Sequence, residues 1–189
     1  MNEVCSKELI ELAEKDLSVR EKLASEGKLS GGYHPEMEQI HRQNAEKLRE
    51  IIRKIGFPTI SKVGDKASEA AWLVIQHSIG EPAFMKECYK MMIENKSGVN
   101  PLNIAYLHDR IQVFQSKPQK YGTQLTEERL PYPVENKNKL NEERLKVNLE
   151  PFSQEEINRI PGIEKIAEID AKQVGYTEWR IKMGWILAP

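Results

Sequence analysis

Three short polar clusters have residue types that could carry chemistry: Gln76-His77, Asp109-Arg110 and the loop-like run at residues 119–124. The first two lie inside strongly apolar helical patterns, where a polar group costs free energy unless a partner or a function keeps it there. We therefore expect the three clusters to meet in one polar site.

Within that site His77 is the candidate catalytic acid/base, because the unperturbed pKa of an imidazole lies near neutrality. Asp109 is the second candidate catalytic residue and would orient His77 or hold the loop, while Arg110 would anchor an anionic group. The other ligand-binding candidates are polar side chains beside them or on the loop: Gln76, Gln119, Tyr121, Thr123 and Gln124. The sequence has no Gly-x-Ser-x-Gly elbow, so water would be the attacking species.

The same residues also have a purely structural interpretation. A buried Asp109 would be satisfied by accepting backbone N–H bonds from a loop, and His77 by a hydrogen bond within the core. Residues 119–124 would then form an ordinary turn with exposed polar side chains.

A metal site is a third hypothesis, built from residues on several helices. His41 lies on the buried stripe of the second predicted helix, so His41, His77 and Asp109 could converge. No His-x-x-x-His or Cys-x-x-Cys pattern supports this, so no metal ligand is assigned and the cofactor stays unidentified.

Composition narrows the class of protein. The 189 residues include 28 Lys and Arg against 29 Asp and Glu, and this balance argues against a nucleic-acid or anionic-membrane binder. No apolar segment approaches the roughly 20 residues of a membrane span, and the amino terminus does not resemble a signal peptide. Cys5 is expected in an exposed, frayed terminus and Cys88 among apolar residues, so we predict no disulfide and a cytoplasmic location.

Apolar spacing and punctuation by Gly and Pro predict the elements that position these clusters. Helices are predicted at residues 6–25, 35–55, 65–78, 82–94 and 101–115, with shorter ones at 141–147 and 153–159. The third helix is apolar almost all round, so it should be central. Residues 56–64 are predicted to connect helices, and residues 116–139 form a long loop of the kind that is functional or mobile.

The C-terminal residues favour a secondary structure different from that of the preceding helices. Residues 163–174 are compatible with a helix, whereas the alternation from Trp179 to Leu187 favours a short strand. Two tryptophans so close together indicate a tail that docks on its own core or on a partner. We therefore divide the chain into a helical domain at residues 1–160 and a C-terminal docking tail at residues 161–189.

The motifs together resemble an uncharacterised bacterial family of domains of unknown function. The resemblance rests on Gly56-Phe57-Pro58-Thr59, Gln76-His77, Asp109-Arg110 and Tyr121-Gly122-Thr123-Gln124, in that order, and extends over about residues 8–152. It implies that the clusters belong together, but it carries no activity. His108, Asn136 and Asn148 depart from the family's pattern.

These observations predict a mainly α, soluble, single-domain helical bundle with a long functional loop and room for a short C-terminal strand. The favoured function is a polar pocket for a small anionic molecule, with hydrolysis by a His acid/base and water as its candidate chemistry. The alternative is a non-enzymatic protein-interaction module, in which the polar clusters are structural and the tail binds a protein partner.

Overall fold

The computed structural model describes residues 1–29 and 32–188, which form ten α-helices and three short 3-10 helices. The α-helices are Glu3–Ser25 (α1), Pro35–Ile55 (α2), Ile60–Val63 (α3), Asp65–His77 (α4), Pro82–Glu94 (α5), Pro101–Phe114 (α6), Leu140–Leu145 (α7), Gln154–Arg159 (α8), Ile166–Lys172 (α9) and Tyr176–Met183 (α10). The predicted mainly α fold class is confirmed. None of these helices is long and apolar enough to span a bilayer.

The chain divides into two compact units. Unit 1 is Met1–Asn100 and contains α1 to α5, and unit 2 begins at Pro101 and contains α6 to α10 with the long loop. The boundary that we placed at residue 160 stays a prediction, and Pro189 at the end of the predicted tail lies outside the described residues.

Helices α1, α2 and α4 pack against one another to form most of unit 1. Helix α4 buries Ala67, Ala70 and Ala71 and packs most extensively against α1. The buried stripes of α1 and α2 are apolar except at Asp16, His41 and Asn44. A polar residue on such a stripe is carried into the interior by its apolar neighbours, and the fold must supply its partners.

The first residues of unit 1 are more ordered than the sequence indicated. Asn2 caps α1 by accepting a hydrogen bond from the Cys5 backbone N–H at 3.0 Å, and its own N–H donates to the Lys62 carbonyl at 2.7 Å. Cys5 is fully buried, so the prediction of an exposed, frayed terminus is wrong. Cys5 and Cys88 are both free thiols. The predicted connection at residues 56–64 also contains a single helical turn, α3.

In unit 2 the long loop follows α6 and turns back on itself. Isolated bridges join Gln119 to Val134 and Leu125 to Pro131, but no sheet forms within the described residues. A small core of Val134, Leu140, Ile157 and Ile160, with Phe152 against it, joins the end of the loop to the residues that follow.

The C-terminal strand that the alternation favoured is wrong. Residues 176–183 form α10, which begins after Gly175 at φ 76° and ends at Gly184 at φ 82°. The alternation placed Arg180 on a polar face, whereas its side chain is buried and pairs with Asp170 at 2.7 Å. The Trp179 and Trp185 rings both contact Phe114, so the tail packs within its own unit.

Candidate functional site

A buried carboxylate on α1 is the starting point of the candidate site. Asp16 follows Leu9 and Ala13 on the stripe of α1 that faces the interior, and its side chain is 0% exposed. A buried charge needs hydrogen-bond donors or a counter-ion, because desolvation costs it several kcal/mol.

Two histidines from two other helices supply those contacts. The Nδ1 atom of His77, at the end of α4, lies 2.9 Å from Oδ1 of Asp16. The Nε2 atom of His41, on α2, lies 3.2 Å from Oδ2 of the same carboxylate. The two imidazole rings are themselves 5.3 Å apart between centroids. We call Asp16, His41 and His77 the Asp–His cluster.

The contacts within the Asp–His cluster are incomplete. Nε2 of His41 and Oδ2 of Asp16 are 3.2 Å apart, but they are not aligned for a hydrogen bond. Neither atom has a hydrogen-bond partner among the described residues. The other ring nitrogen of His41, Nδ1, is hydrogen-bonded to the Tyr33 hydroxyl at 2.7 Å. The Tyr33 and His41 rings stack, which fixes the orientation of the imidazole.

The electrostatics of the Asp–His cluster keep Asp16 ionised. Burial by itself would raise the pKa of its carboxyl, but the close contacts with His41 and His77 and the charge of these imidazoles outweigh burial and lower the pKa to about 2. Burial and the nearby Glu38 carboxylate raise the pKa of Tyr33, so its phenol stays neutral. A carboxylate, two imidazoles and a neutral hydroxyl therefore meet inside unit 1.

His77 is the member of the Asp–His cluster that solvent reaches. Its side chain is 24% exposed, against 9% for His41 and 0% for Asp16. Because Asp16 contacts Nδ1, the Nε2 atom of His77 is the ring nitrogen left for a water molecule or a ligand. The neighbouring Gln76 is buried, and its Oε1 has no hydrogen-bond partner among the described residues. This arrangement can orient an imidazole base and can also present oxygen and nitrogen ligands to a cation.

The second predicted catalytic residue, Asp109, lies in unit 2 with different partners. Its carboxylate accepts hydrogen bonds from the backbone N–H groups of Lys120 at 2.8 Å, Tyr121 at 3.0 Å and Thr123 at 3.0 Å. The Thr123 hydroxyl donates at 3.1 Å, and Nδ1 of His108 lies 3.0 Å away. Asp109 thus gathers one turn of the loop around its carboxylate.

Gln119 holds the same loop from the inside. Its buried side-chain amide donates to the carbonyls of Gln124 at 3.0 Å and Tyr132 at 2.7 Å, and its Oε1 accepts from the Gln124 N–H at 2.9 Å. We call Asp109, Gln119 and the backbone groups that they bind the loop lock. Its side chains have little hydrogen-bonding capacity left for a ligand.

Two further residues stabilise the turn inside the loop lock: Gly122, and Arg144, to which the sequence analysis gave no role. Gly122 has φ 71°, and a Cβ atom there would lie 3.0 Å from the Phe152 ring, so any other residue would be strained. Arg144 donates to the carbonyls of Tyr121 at 2.6 Å and Glu150 at 2.7 Å, and its guanidinium lies over the Phe152 ring. Arg144 therefore holds the loop from the side of α7.

The remaining predicted ligand-binding residues belong to the surroundings of the loop lock. Tyr121 is partly buried, which raises the pKa of its phenol, and its ring meets His108 edge-on. The Gln124 side chain contacts the Thr123 hydroxyl at 3.2 Å. Arg110 is half-buried on α6, and its charge counteracts the burial that raises the pKa of Tyr176.

The structure sorts the predicted site residues into two sets. Gln76 and His77 lie in unit 1 beside Asp16, whereas Asp109, Arg110 and the loop residues lie in unit 2. Sequence reasoning missed Asp16 and Tyr33. The signal for Asp16 was available, because a carboxylate three residues after Ala13 and seven after Leu9 lies on their apolar stripe.

A surface cavity in unit 2 lies apart from all the predicted site residues. It is lined by residues 126–128, Pro161, Lys165 and residues of α9 that include Glu168 and Lys172. Its two lysines are already paired, with Lys165 2.9 Å from Glu168 and Lys172 2.7 Å from Glu128. We therefore do not assign the predicted ligand to this cavity.

Comparison with known proteins adds a family but no activity. A family model described as a family of unknown function (DUF6624) matches residues 4–162. No curated protein and no solved structure matches the chain.

Proposed function

The chain belongs to this family of unknown function, and we propose from the geometry of unit 1 that it hydrolyses a small molecule at the Asp–His cluster. One observation carries the proposal: the partly exposed His77 imidazole lies 2.9 Å from the ionised, fully buried Asp16 carboxylate. A carboxylate in that position orients an imidazole and stabilises the imidazolium that forms when it accepts a proton.

In the proposed reaction His77 is the acid/base and water is the nucleophile. The Nε2 atom of His77 takes a proton from water as the water oxygen adds to the electrophilic carbon or phosphorus of the substrate. The imidazolium then returns that proton to the departing oxygen, so the base is regenerated and the products are an acid and an alcohol. Asp16 takes the orienting role that we predicted for Asp109.

The other predicted site residues take different parts in this proposal. Asp109 and Gln119 hold the loop, because their polar atoms are committed to backbone groups in unit 2. Arg110 as the anchor of an anionic ligand, and the predicted ligand contacts of Gln76, Tyr121, Thr123 and Gln124, stay predictions. A bacterial origin and a cytoplasmic location also stay predictions.

A chromogenic assay tests the proposal directly. Purified protein is incubated with p-nitrophenyl acetate and with p-nitrophenyl phosphate, and p-nitrophenol release is compared for wild type, His77→Gln and His34→Asn. His34 is the matched control, because it caps α2 through Nδ1 at 3.2 Å and asparagine preserves the cap. We expect His77→Gln to lose at least about 100-fold in rate, the usual contribution of an acid/base, and His34→Asn to match wild type. Equal rates for all three proteins, or no turnover above buffer, would contradict the proposal.

The second candidate function is the interaction module, and the loop lock favours it. A turn held by Asp109, Gln119 and Arg144 is a rigid surface feature of the kind that partners recognise. In that case His77→Gln would leave every assay unchanged, whereas substitutions on the outer face of the loop would weaken binding to a partner.

A further inference from the structure

Two buried polar atoms that face each other without a hydrogen bond set the Asp–His cluster apart from an ordinary acid/base pair. Oδ2 of Asp16 and Nε2 of His41 are 3.2 Å apart, and neither has a hydrogen-bond partner among the residues described. Leaving a buried donor or acceptor unsatisfied costs about 1–3 kcal/mol, so such atoms call for an explanation.

Neither neutral tautomer of His41 gives these two atoms a hydrogen bond. If Nδ1 of His41 donates to Tyr33, then Nε2 presents a lone pair to the carboxylate and the two repel. If Tyr33 donates instead, Nε2 carries a hydrogen, but the misalignment keeps that hydrogen from the carboxylate oxygen. A cation between them needs no linear N–H···O arrangement and would satisfy both lone pairs.

We propose that Asp16, His41 and His77 together bind one divalent transition-metal ion, in the first instance Zn²⁺. Each residue offers one ligand atom, and the three atoms all lie within 4.8 Å of one another. Ligands about 2.1 Å from a tetrahedral zinc are roughly 3.4 Å apart, so small side-chain movements bring the three into position. Two imidazoles and one carboxylate are a ligand set that zinc and other borderline divalent ions accept.

The surroundings of His41 match those of a metal ligand. Histidines that bind a metal usually hydrogen-bond through their other ring nitrogen, which fixes the tautomer and the ring orientation. Tyr33 makes that contact to Nδ1 at 2.7 Å and stacks on the ring, so Nε2 is held toward Asp16. Tyr33 is thus a positioning residue for the ion.

Among the described residues three protein ligands converge, and the partial exposure of His77 leaves the cluster open toward solvent. A zinc ion with three protein ligands keeps a position for water, and the ion lowers the pKa of that water. This inference rests on the proposed function only for its location. Nδ1 of His77 would then hold the ion, and the ion would supply the activation of water that the proposed function assigns to the imidazole.

Isothermal titration calorimetry of untagged, chelator-treated full-length protein with ZnCl₂ tests the site without any substrate. We expect one ion per chain for wild type. Tyr33→Phe should weaken binding by about 10–100-fold, the usual effect of removing the outer partner of a ligand. Asp16→Asn and His41→Gln should weaken it more than Tyr33→Phe, because each removes a ligand.

The two histidines outside the cluster are the matched controls. His34→Asn and His108→Gln should keep wild-type affinity and stoichiometry, and far-ultraviolet circular dichroism establishes that every variant is folded. Weak, non-stoichiometric binding by wild type, or equal losses in the control variants, would overturn the proposal.

Cobalt substitution keeps the proposal testable if the ligand variants do not fold. Wild-type protein titrated with Co²⁺ should develop the intense visible absorption of a four-coordinate ion, and Zn²⁺ should abolish it. A spectrum that stays that of hydrated Co²⁺ would overturn the site.

Stoichiometric zinc binding without hydrolysis would support the metal site and contradict the proposed function. Hydrolysis that depends on His77 in protein that binds no ion would do the reverse.

Discussion

Two aspartates, each fully buried on the apolar face of a helix, have opposite surroundings in this protein. In unit 2 the Asp109 carboxylate accepts from three backbone N–H groups and a hydroxyl, and His108 lies beside it. In unit 1 the Asp16 carboxylate contacts two histidine side chains, and one of its oxygens lacks a hydrogen bond within the described part of the chain.

The difference separates a structural role from a chemical one. Backbone N–H groups always donate, so a carboxylate that they saturate stabilises one loop conformation and nothing else. Imidazoles change protonation state and bind metals, so a carboxylate paired with them can take part in proton transfer or in metal binding. The loop lock satisfies its polar atoms internally, whereas the Asp–His cluster leaves capacity for a ligand.

A third buried aspartate extends the comparison and should give the largest effect. Asp170 accepts from Ser116 at 2.8 Å, Tyr132 at 3.1 Å and Arg180 at 2.7 Å, and Arg180 is its counter-ion. Arg180→Ala would leave a buried, unpaired carboxylate, so we expect urea unfolding to report a loss of about 3–5 kcal/mol. Lys182→Ala, at an exposed position on the same helix, should change the free energy of unfolding by less than about 0.5 kcal/mol. Similar losses for the two variants would mean that the pair does not stabilise unit 2.

The loop lock itself should show a smaller loss that depends on which glutamine is changed. Gln119→Ala removes the partner of the Gln124 N–H and of the Tyr132 carbonyl, whereas the Gln124 carbonyl still accepts from the Tyr132 N–H, so we expect a loss of about 1–3 kcal/mol in urea unfolding. Gln124→Ala removes only a side-chain contact to the Thr123 hydroxyl and should cost less than about 0.5 kcal/mol. If Gln124→Ala were the more damaging substitution, the side chain and not the backbone of residue 124 would hold the loop.

The smallest expected effect concerns Cys88, a buried group of unit 1 whose nearby cation, Arg49, does not offset the effect of burial on its pKa. Burial, helped by Glu87, raises the pKa of Cys88 from 9.0 to about 12, whereas the histidines lower that of Asp16. Because the unfolded chain ionises this thiol first, its contribution to stability is complete below pH 9 and is lost as the pH rises toward 12. We expect wild type to lose about 1 kcal/mol relative to Cys88→Ala between pH 8.5 and about 10, measured by urea unfolding at each pH. Parallel pH profiles for the two proteins would contradict this.

The sequence predicted the helices well because the prolines and glycines that begin and end them are local signals. Pro35 and Gly56 delimit α2, and Pro82 begins α5, with the bounds that the structure has. Residues 56–64 also contain local signals, but a single turn such as α3 is too short for periodicity to detect. At the other end of the chain, alternation over nine residues favoured a strand because Arg180 was counted as a solvent-facing polar residue. The sequence pattern cannot reveal that Arg180 has a buried partner.

The site was only partly predictable, because its pairings are made by tertiary contacts. His41 was placed correctly on a buried helical face, whereas His77 is a quarter exposed. The role of Asp109 as an acceptor of backbone N–H bonds was one of the alternatives considered. Which carboxylate meets His77 depends on how α1 packs against α4, and the two residues are 61 positions apart in sequence. Asp16 was overlooked because the stripe of α1 was read from its leucines and alanines alone.

Urea unfolding of His77→Gln beside Asp109→Asn tests the contrast between the two clusters most directly. Asp109→Asn converts an acceptor of several N–H bonds into a weaker one, so we expect a loss of about 1–3 kcal/mol. His77→Gln keeps a donor toward Asp16 at a position that is a quarter exposed, so we expect a change below about 0.5 kcal/mol. A loss for His77→Gln as large as that for Asp109→Asn would contradict the account, because His77 would then be as structural as the loop lock.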